Sequence, residues 1–167
     1  MANTQDNVKA AFAGESQANR KYLFFAERAE KDGQPQVAKL FRAIAEAETV
    51  HARNHLQTLA GIGSTPDNLK EAISGEHHEF TEMYPEFIKQ AEVDGNKRAQ
   101  LMMGYANQVE EIHHRMYQQA LEAVNSGKPV GGKPYSVCQV CGYTVEGEAP
   151  DKCPICSAPA ARFKKVE

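Results

Sequence analysis

Glu48-Thr49-Val50-His51 and, on a later helix, Glu110-Glu111-Ile112-His113 are the stretches on which the fold turns. A Glu and a His three apart on a helix lie on one face, a single turn from each other. Two such pairs, joined by lone Glu residues from two further helices, make the inward-facing ligand set of a four-helix bundle that holds two metal ions. That assignment requires four helices to carry the donors.

Periodicity supplies them. Asn3 to Lys31 carries Val8, Ala11, Glu15, Ala18, Tyr22, Phe25 and Ala29 at helical spacing. Asp32-Gly33-Gln34-Pro35 stops that helix and restarts another, since Gly suits a C-terminal turn and Pro a first turn. The second helix is expected over 36–59, with Val37, Phe41, Ile44, Glu48 and His51 in one stripe, and Gly61-Ile62-Gly63-Ser64-Thr65-Pro66 breaks it. A third is expected over 68–92, with Ile73, Glu76, Glu79, Phe80, Met83 and Phe87, and a kink at Pro85. Asp94-Gly95-Asn96 turns the chain into a fourth helix over 97–124. The reading is mainly α: an antiparallel four-helix bundle over 1–125, a Gly- and Pro-rich linker over 126–135, and a small Cys-rich module over 136–167.

Bulk properties set limits. Of 167 residues 41% are hydrophobic, enough for a core, and the net charge of −3 carries no basic footprint for nucleic acid. Mean hydropathy of −0.57 leaves no membrane span. The stretch Met1-Ala2-Asn3-Thr4-Gln5-Asp6 has neither a basic region nor an apolar one, so no secretory signal is expected and the cytoplasm is the expected compartment.

The placement of acidic residues is the informative feature. Glu15, Glu48, Glu76, Glu79 and Glu110 each fall on the apolar stripe of their own helix. Buried carboxylates are costly and repel each other when grouped. No Lys or Arg lies on those stripes to neutralise them, so two divalent cations are expected. The fourth helix offers two overlapping motifs. Glu110 and His113 share a stripe with Met103, Ala106 and Tyr117, whereas Glu111 and His114 share theirs with Gln100, Asn107, Gln108 and Arg115. Glu110 and His113 are therefore assigned to the site, and Glu111 and His114 to solvent. Mixed carboxylate and imidazole donors suit iron or manganese, with zinc a third candidate.

The four cysteines form Cys138-x-x-Cys141 and Cys153-x-x-Cys156. Four thiolates at this spacing bind zinc or a single iron in tetrahedral array. With no secretory signal, a metal site is a better reading than two disulfides. Spacing alone leaves iron and zinc open, a structural zinc ribbon included.

Taken together these motifs closely resemble the rubrerythrin family. The resemblance runs through Gly14-Glu15-Ser16-Gln17-Ala18, Glu48-x-x-His51, Gly75-Glu76-His77-His78-Glu79 with Thr81-Glu82-Met83-Tyr84-Pro85, Glu110-x-x-His113, and Cys138-Gln139-Val140-Cys141-Gly142-Tyr143 with Cys153-Pro154-Ile155-Cys156. It implies a di-iron site of Glu15, Glu48, His51, Glu76, Glu79, Glu110 and His113, with Glu79 exchanging for His51 as redox state changes. It also implies one iron on the four cysteines, in a rubredoxin-like centre, and roles for Tyr22 and Tyr84 beside the ligands. The activity implied is reduction of hydrogen peroxide to water, protective under oxidative stress. Electrons would come through the cysteine-bound iron from rubredoxin or an NAD(P)H-dependent reductase. A ferritin-like ferroxidase is the alternative. A head-to-tail homodimer is expected on two grounds. The family shows one, and the fifteen residues from Glu110 to Asn125 carry the chain about 22 Å along the helix, away from its own site.

Overall fold

The computed structural model describes residues 3–167. Met1 and Ala2, the start of the amino-terminal stretch read above, lie outside the described residues. The chain divides into two compact units, one ending at Gly63 and the other running from Ser64 to Glu167.

The first unit is a helix pair, α1 (Thr4–Lys31) and α2 (Pro35–Thr58). Asn3 caps α1 reciprocally: its side chain accepts from the Asp6 N–H at 3.0 Å, and Asp6 accepts from the Asn3 N–H at 3.3 Å. Gly33 takes φ +72°, and the Gln34 N–H reaches back to the Ala29 carbonyl at 2.8 Å, so the chain reverses into Pro35. Alanines carry the contact between the helices. Ala26, Ala29, Ala38 and Ala45 are buried, and their small side chains let the backbones approach. The spacing predicts Phe25, Val37 and Ile44 as core, yet these three remain 41–47% exposed. They flank the alanine seam rather than filling it. Tyr22, Phe25 and Phe41 form a ring cluster, with ring centroids 5.6–6.2 Å apart.

One polar clamp fixes the register of this pair. Asn19 donates through Nδ2 to the Ala45 carbonyl at 2.7 Å and to Thr49 Oγ1 at 2.9 Å. Glu15 lies one turn before Asn19, and Glu48 precedes Thr49, so the clamp also sets how the two carboxylates face each other.

The second unit opens with α3 (Thr65–His78), followed without a break by a π-helical turn (Glu79–Met83) and α4 (Tyr84–Val93). The helix begins three residues earlier than the 68 expected, because Pro66 serves in its first turn instead of ending the preceding loop. At Pro85 the chain widens its turn where the sequence predicts a simple kink. Pro85 has no N–H, and its ring would press on the carbonyl four residues back. The Tyr84 N–H instead bonds the Glu79 carbonyl, five residues back. α5 (Lys97–Asn125) is capped by Asn96, whose side chain accepts from the Ala99 N–H at 3.1 Å. His114 does not stand in solvent as predicted. It is half-buried and donates through Nδ1 to the Ile73 carbonyl of α3 at 3.0 Å, in a ring cluster with His77 and Phe80. The polar residues of its stripe conceal that it lies on the α3–α5 seam.

Beyond the linker stand β1 (Tyr135–Cys138), β2 (Thr144–Glu146) and β3 (Phe163–Val166), antiparallel in the order β2-β1-β3. The module repeats one device. The Gly142 N–H bonds the Cys138 carbonyl and the Cys138 N–H the Tyr143 carbonyl. Ser157 and Ala158 do the same with Cys153, at 2.8–2.9 Å throughout. Each loop needs a left-handed residue after its second cysteine, Gly142 at φ +86° and Ser157 at φ +61°. Cys138, Cys153 and Ala158 form the small core, ringed by Tyr143, Ile155 and Phe163.

Replacing Asn19 with Ala removes two hydrogen bonds from the α1–α2 seam. Equilibrium urea unfolding should show a loss of about 1–3 kcal/mol, with the midpoint falling and the slope unchanged.

Candidate metal centre

Three donor clusters converge among the described residues. In the first unit, Glu15, Glu48 and His51 each place one donor atom within 4.8 Å of the others. His51 Nδ1 lies 2.9 Å from Glu48 Oε2 and 3.9 Å from Glu15 Oε1. In the second unit, Glu76, Glu110 and His113 repeat the pattern: His113 Nδ1 lies 2.7 Å from Glu110 Oε2 and 4.0 Å from Glu76 Oε2. In both, the Glu-x-x-His turn supplies two donors and a neighbouring helix the third. A cation bonded at about 2.1 Å to nitrogen and oxygen at right angles holds its donors about 3 Å apart, so modest closure of either cluster would seat one.

The electrostatics of the second cluster fit that reading. Burial, then the charge and hydrogen bond of Glu110, push the Glu76 carboxyl up to about 7. Glu79, half-buried on the π-helical turn, is raised by burial and then by Glu110. Tyr84 is raised by burial, then by Glu110, Glu79 and Glu76, which places its hydroxyl in the field of the same carboxylates. His113 is raised by its hydrogen bond to Glu110, against the pull of burial. Crowding thus favours a proton on Glu76 that a divalent cation would displace. Tyr22 stands differently: its ring packs on Phe25 and Phe41 in the first unit. Glu111 pairs with Arg115 at 2.7 Å on the exposed face of α5, as its stripe predicts.

The third cluster is Cys138, Cys141, Cys153 and Cys156. The Sγ atoms of Cys138 and Cys156 are 3.6 Å apart, and those of Cys141 and Cys153 are 3.5 Å apart. A disulfide would need about 2.05 Å. A tetrahedral ion at about 2.3 Å from each sulfur spaces them about 3.8 Å apart, close to what is seen. Burial and the neighbouring thiols raise Cys141, and burial raises Cys156. For Cys153 burial is outweighed by the backbone N–H groups of Cys156 and Ile155, and its thiol falls below the usual range.

The cysteine module meets α5 at the second cluster. Thr144 Oγ1 lies 3.0 Å from His113 Nε2, and a Cβ on Gly142 would touch Val109 at 3.7 Å. The distance argument for a partner subunit therefore fails: the module rests on a Glu-x-x-His helix of its own chain. The linker of about ten residues can span about 33 Å when extended, enough to retrace the end of α5. Thr144 carries no motif signature, and sequence reading passes over it.

Clustered carboxylate and imidazole donors on helices, followed by a separate four-cysteine module, define a class of helical metal-binding proteins with a rubredoxin-like appendage. The chain belongs to the rubrerythrin family, whose profile matches residues 6–121, and the rubrerythrin rubredoxin-like domain matches residues 137–164. It is 37% identical to rubrerythrin-2 of Clostridium acetobutylicum, across 98% of this chain and 96% of that one. It is 36% identical to the rubrerythrin of Porphyromonas gingivalis, across 98% and 90%. Among solved structures, partially reduced nigerythrin superposes with a TM-score of 0.58 at 33% identity, covering 99% of this chain and 88% of that one. The mainly α, ferritin-like class with a rubredoxin-like module stands. Among the described residues no helix is long and apolar enough to cross a membrane.

The proton on Glu76 gives a pH test. Its folded pKa, raised from 4.5 to about 7, means the metal-free folded chain binds this proton more tightly than the unfolded chain. Stability is full below the unfolded value and is lost as pH rises through about 7; His113, also raised, adds in the same direction. The melting temperature of metal-free protein should fall between pH 5 and 8, and Glu76→Gln should flatten that fall.

Proposed function

We propose that this protein is a non-haem di-iron peroxidase that reduces hydrogen peroxide to water and takes its electrons through the four-cysteine module. The observation that carries the reading is the 3.0 Å contact between Thr144 of that module and His113 of the Glu76, Glu110 and His113 cluster. A zinc ribbon built only to stabilise the fold has no need to rest on a redox ligand.

On this reading residues 1–125 carry the iron pair, 126–135 are the linker, and 136–167 are the electron-transfer module. When bound, iron supplies the two electrons that conversion of hydrogen peroxide to two waters requires, and the cysteine-bound iron passes replacements singly. The chain's own part is to hold, orient and supply protons. Glu15, Glu48, His51, Glu76, Glu79, Glu110 and His113 are the proposed ligands, with Glu79 and His51 alternating. Glu79 is suited to carry a proton, since burial and Glu110 favour its neutral form. Tyr84 stays protonated in the same field and can donate a hydrogen bond toward the carboxylates. Tyr22 is proposed to line the site from α1. The proposed compartment is the cytoplasm, with rubredoxin or an NAD(P)H-dependent reductase as electron donor and a head-to-tail homodimer as assembly.

Anaerobically reduced protein, titrated with hydrogen peroxide under visible absorption, should recover the bleached colour of its cysteine-bound iron, with about three irons per chain by ligand count. Cys153→Ser should abolish turnover with a donor and spare one single-turnover oxidation. Steady-state turnover surviving in that variant would sink the relay.

A further inference from the structure

The two cysteine loops of the module stand in different surroundings. The first leans on α5: a Cβ on Gly142 would touch Val109 at 3.7 Å, and Thr144 Oγ1 lies 3.0 Å from His113 Nε2. The second, residues 153–156, is closed on itself. The Ser157 N–H reaches the Cys153 carbonyl at 2.9 Å, and the Cys153 N–H the Ala158 carbonyl at 2.8 Å. Among the described residues no hydrogen bond joins this loop to an α-helix. Cys153 is buried, but Cys156 is half-buried, with exposed Pro154 before it and exposed Ser157, Pro159, Ala160 and Ala161 after it. For an electron that leaves by the first loop toward His113, the second loop is the free way in.

We propose that this second loop is the docking face for an acidic one-electron carrier protein, with Lys152 and Arg162 as its charged rim. The inference rests on the electron-relay part of the reading above. Both cations are tied to one residue beside the loop: Lys152 bridges Pro159, and the Arg162 N–H bonds the Pro159 carbonyl at 2.8 Å. Both are exposed, and neither has an ion pair among the described residues. Residues 151–165 hold four basic residues and one acid, in a chain whose net charge is −3, so positive charge gathers here against the overall balance. A patch of small uncharged residues around Cys156, with cations at its margin, suits a transient redox encounter. The rim steers and orients the partner, while the small side chains allow close approach without a tight interface. An acidic carrier is drawn to this rim and a basic one repelled. The carrier gives up one electron and the cysteine-bound iron goes from ferric to ferrous, with no bond made or broken.

Flavodoxin, an acidic flavin protein, is the probe. Full-length protein with zinc on the four cysteines, its occupancy verified by metal analysis, is titrated with oxidised flavodoxin at low salt and followed by nitrogen-15 spectra. Amide signals of residues 152–162 should shift, and those of α4 should not. Lys152→Glu combined with Arg162→Glu should weaken binding at least about tenfold, by an amount that shrinks as salt is raised. Lys89→Glu combined with Lys97→Glu makes the same change in net charge near the α4–α5 turn, and should stay within about twofold of the parent. With iron on the cysteines, flavodoxin hydroquinone should bleach the parent module at least about tenfold faster than the Lys152 and Arg162 variant. Photoreduced 5-deazariboflavin, small and uncharged, should bleach both alike. The proposal is overturned if flavodoxin shifts no signal in the second loop, if it binds there without bleaching the iron, or if the rim variant binds as the parent does. Equal weakening by the Lys89 and Lys97 variant would also overturn it, because net charge would then be the cause. A chain that docks and accepts electrons at this face, yet is inert toward peroxide, would remove the peroxidase reading and leave this inference standing.

Discussion

Within each helix pair two carboxylates and an imidazole nitrogen converge, and the ion pairs of these carboxylates among the described residues are all to histidine. That crowding is the constraint on which the rest of the architecture depends. Left alone, it drives a carboxyl such as Glu76 to keep its proton near neutral pH, because burial and Glu110 both oppose its charge. A bundle that wanted only stability would put leucine at these positions. The sequence instead uses alanine at the α1–α2 seam, which brings the backbones close, and adds the Asn19 clamp, which fixes their register. Both devices give up apolar burial for placement of donor atoms. Phe25, Val37 and Ile44 remain exposed at the edge of the seam that the alanines fill.

The legible part of this arrangement was the part written in spacing. Glu-x-x-His recurs because one helical turn is the local geometry that brings two such donors together, and Cys-x-x-Cys recurs because a tight loop does the same for sulfur. The break at Gly33 and Pro35 and the turn at Asp94-Gly95-Asn96 followed from turn chemistry that acts within a few residues. What spacing did not carry was long-range. Pro66 reads equally as the end of a loop or the first turn of a helix, and only packing decides. His114 sits among polar neighbours in sequence, yet faces Ile73 of another helix. The module's return to α5 depended on a flexible linker, whose composition tells its reach but not its direction.

The π-helical turn ties these levels together. Pro85 makes an ordinary α-turn unfavourable just after Glu79, and the chain answers by adding a residue to the turn. Glu76 stays on a regular helix, while Glu79 begins the widened segment, so two acids close in sequence have unequal mechanical support. A carboxylate on a regular helix is held to one position. One on a π-turn sits where the backbone hydrogen bonds have already been rearranged, and a further shift disturbs fewer of them.

The second cluster therefore joins three kinds of support around a single imidazole. α5 supplies His113 and Glu110 at fixed spacing, α3 supplies Glu76 through a seam pinned by His114, and the four-cysteine module supplies Thr144. The first two come from the helices that carry the ligands. The third comes from a module whose small core is built from its own cysteines, Cys138 and Cys153, with Ala158. The loop of the first Cys-x-x-Cys, held by the Gly142 N–H to the Cys138 carbonyl, thus sets both the positions of two sulfurs and the place of Thr144 beside His113.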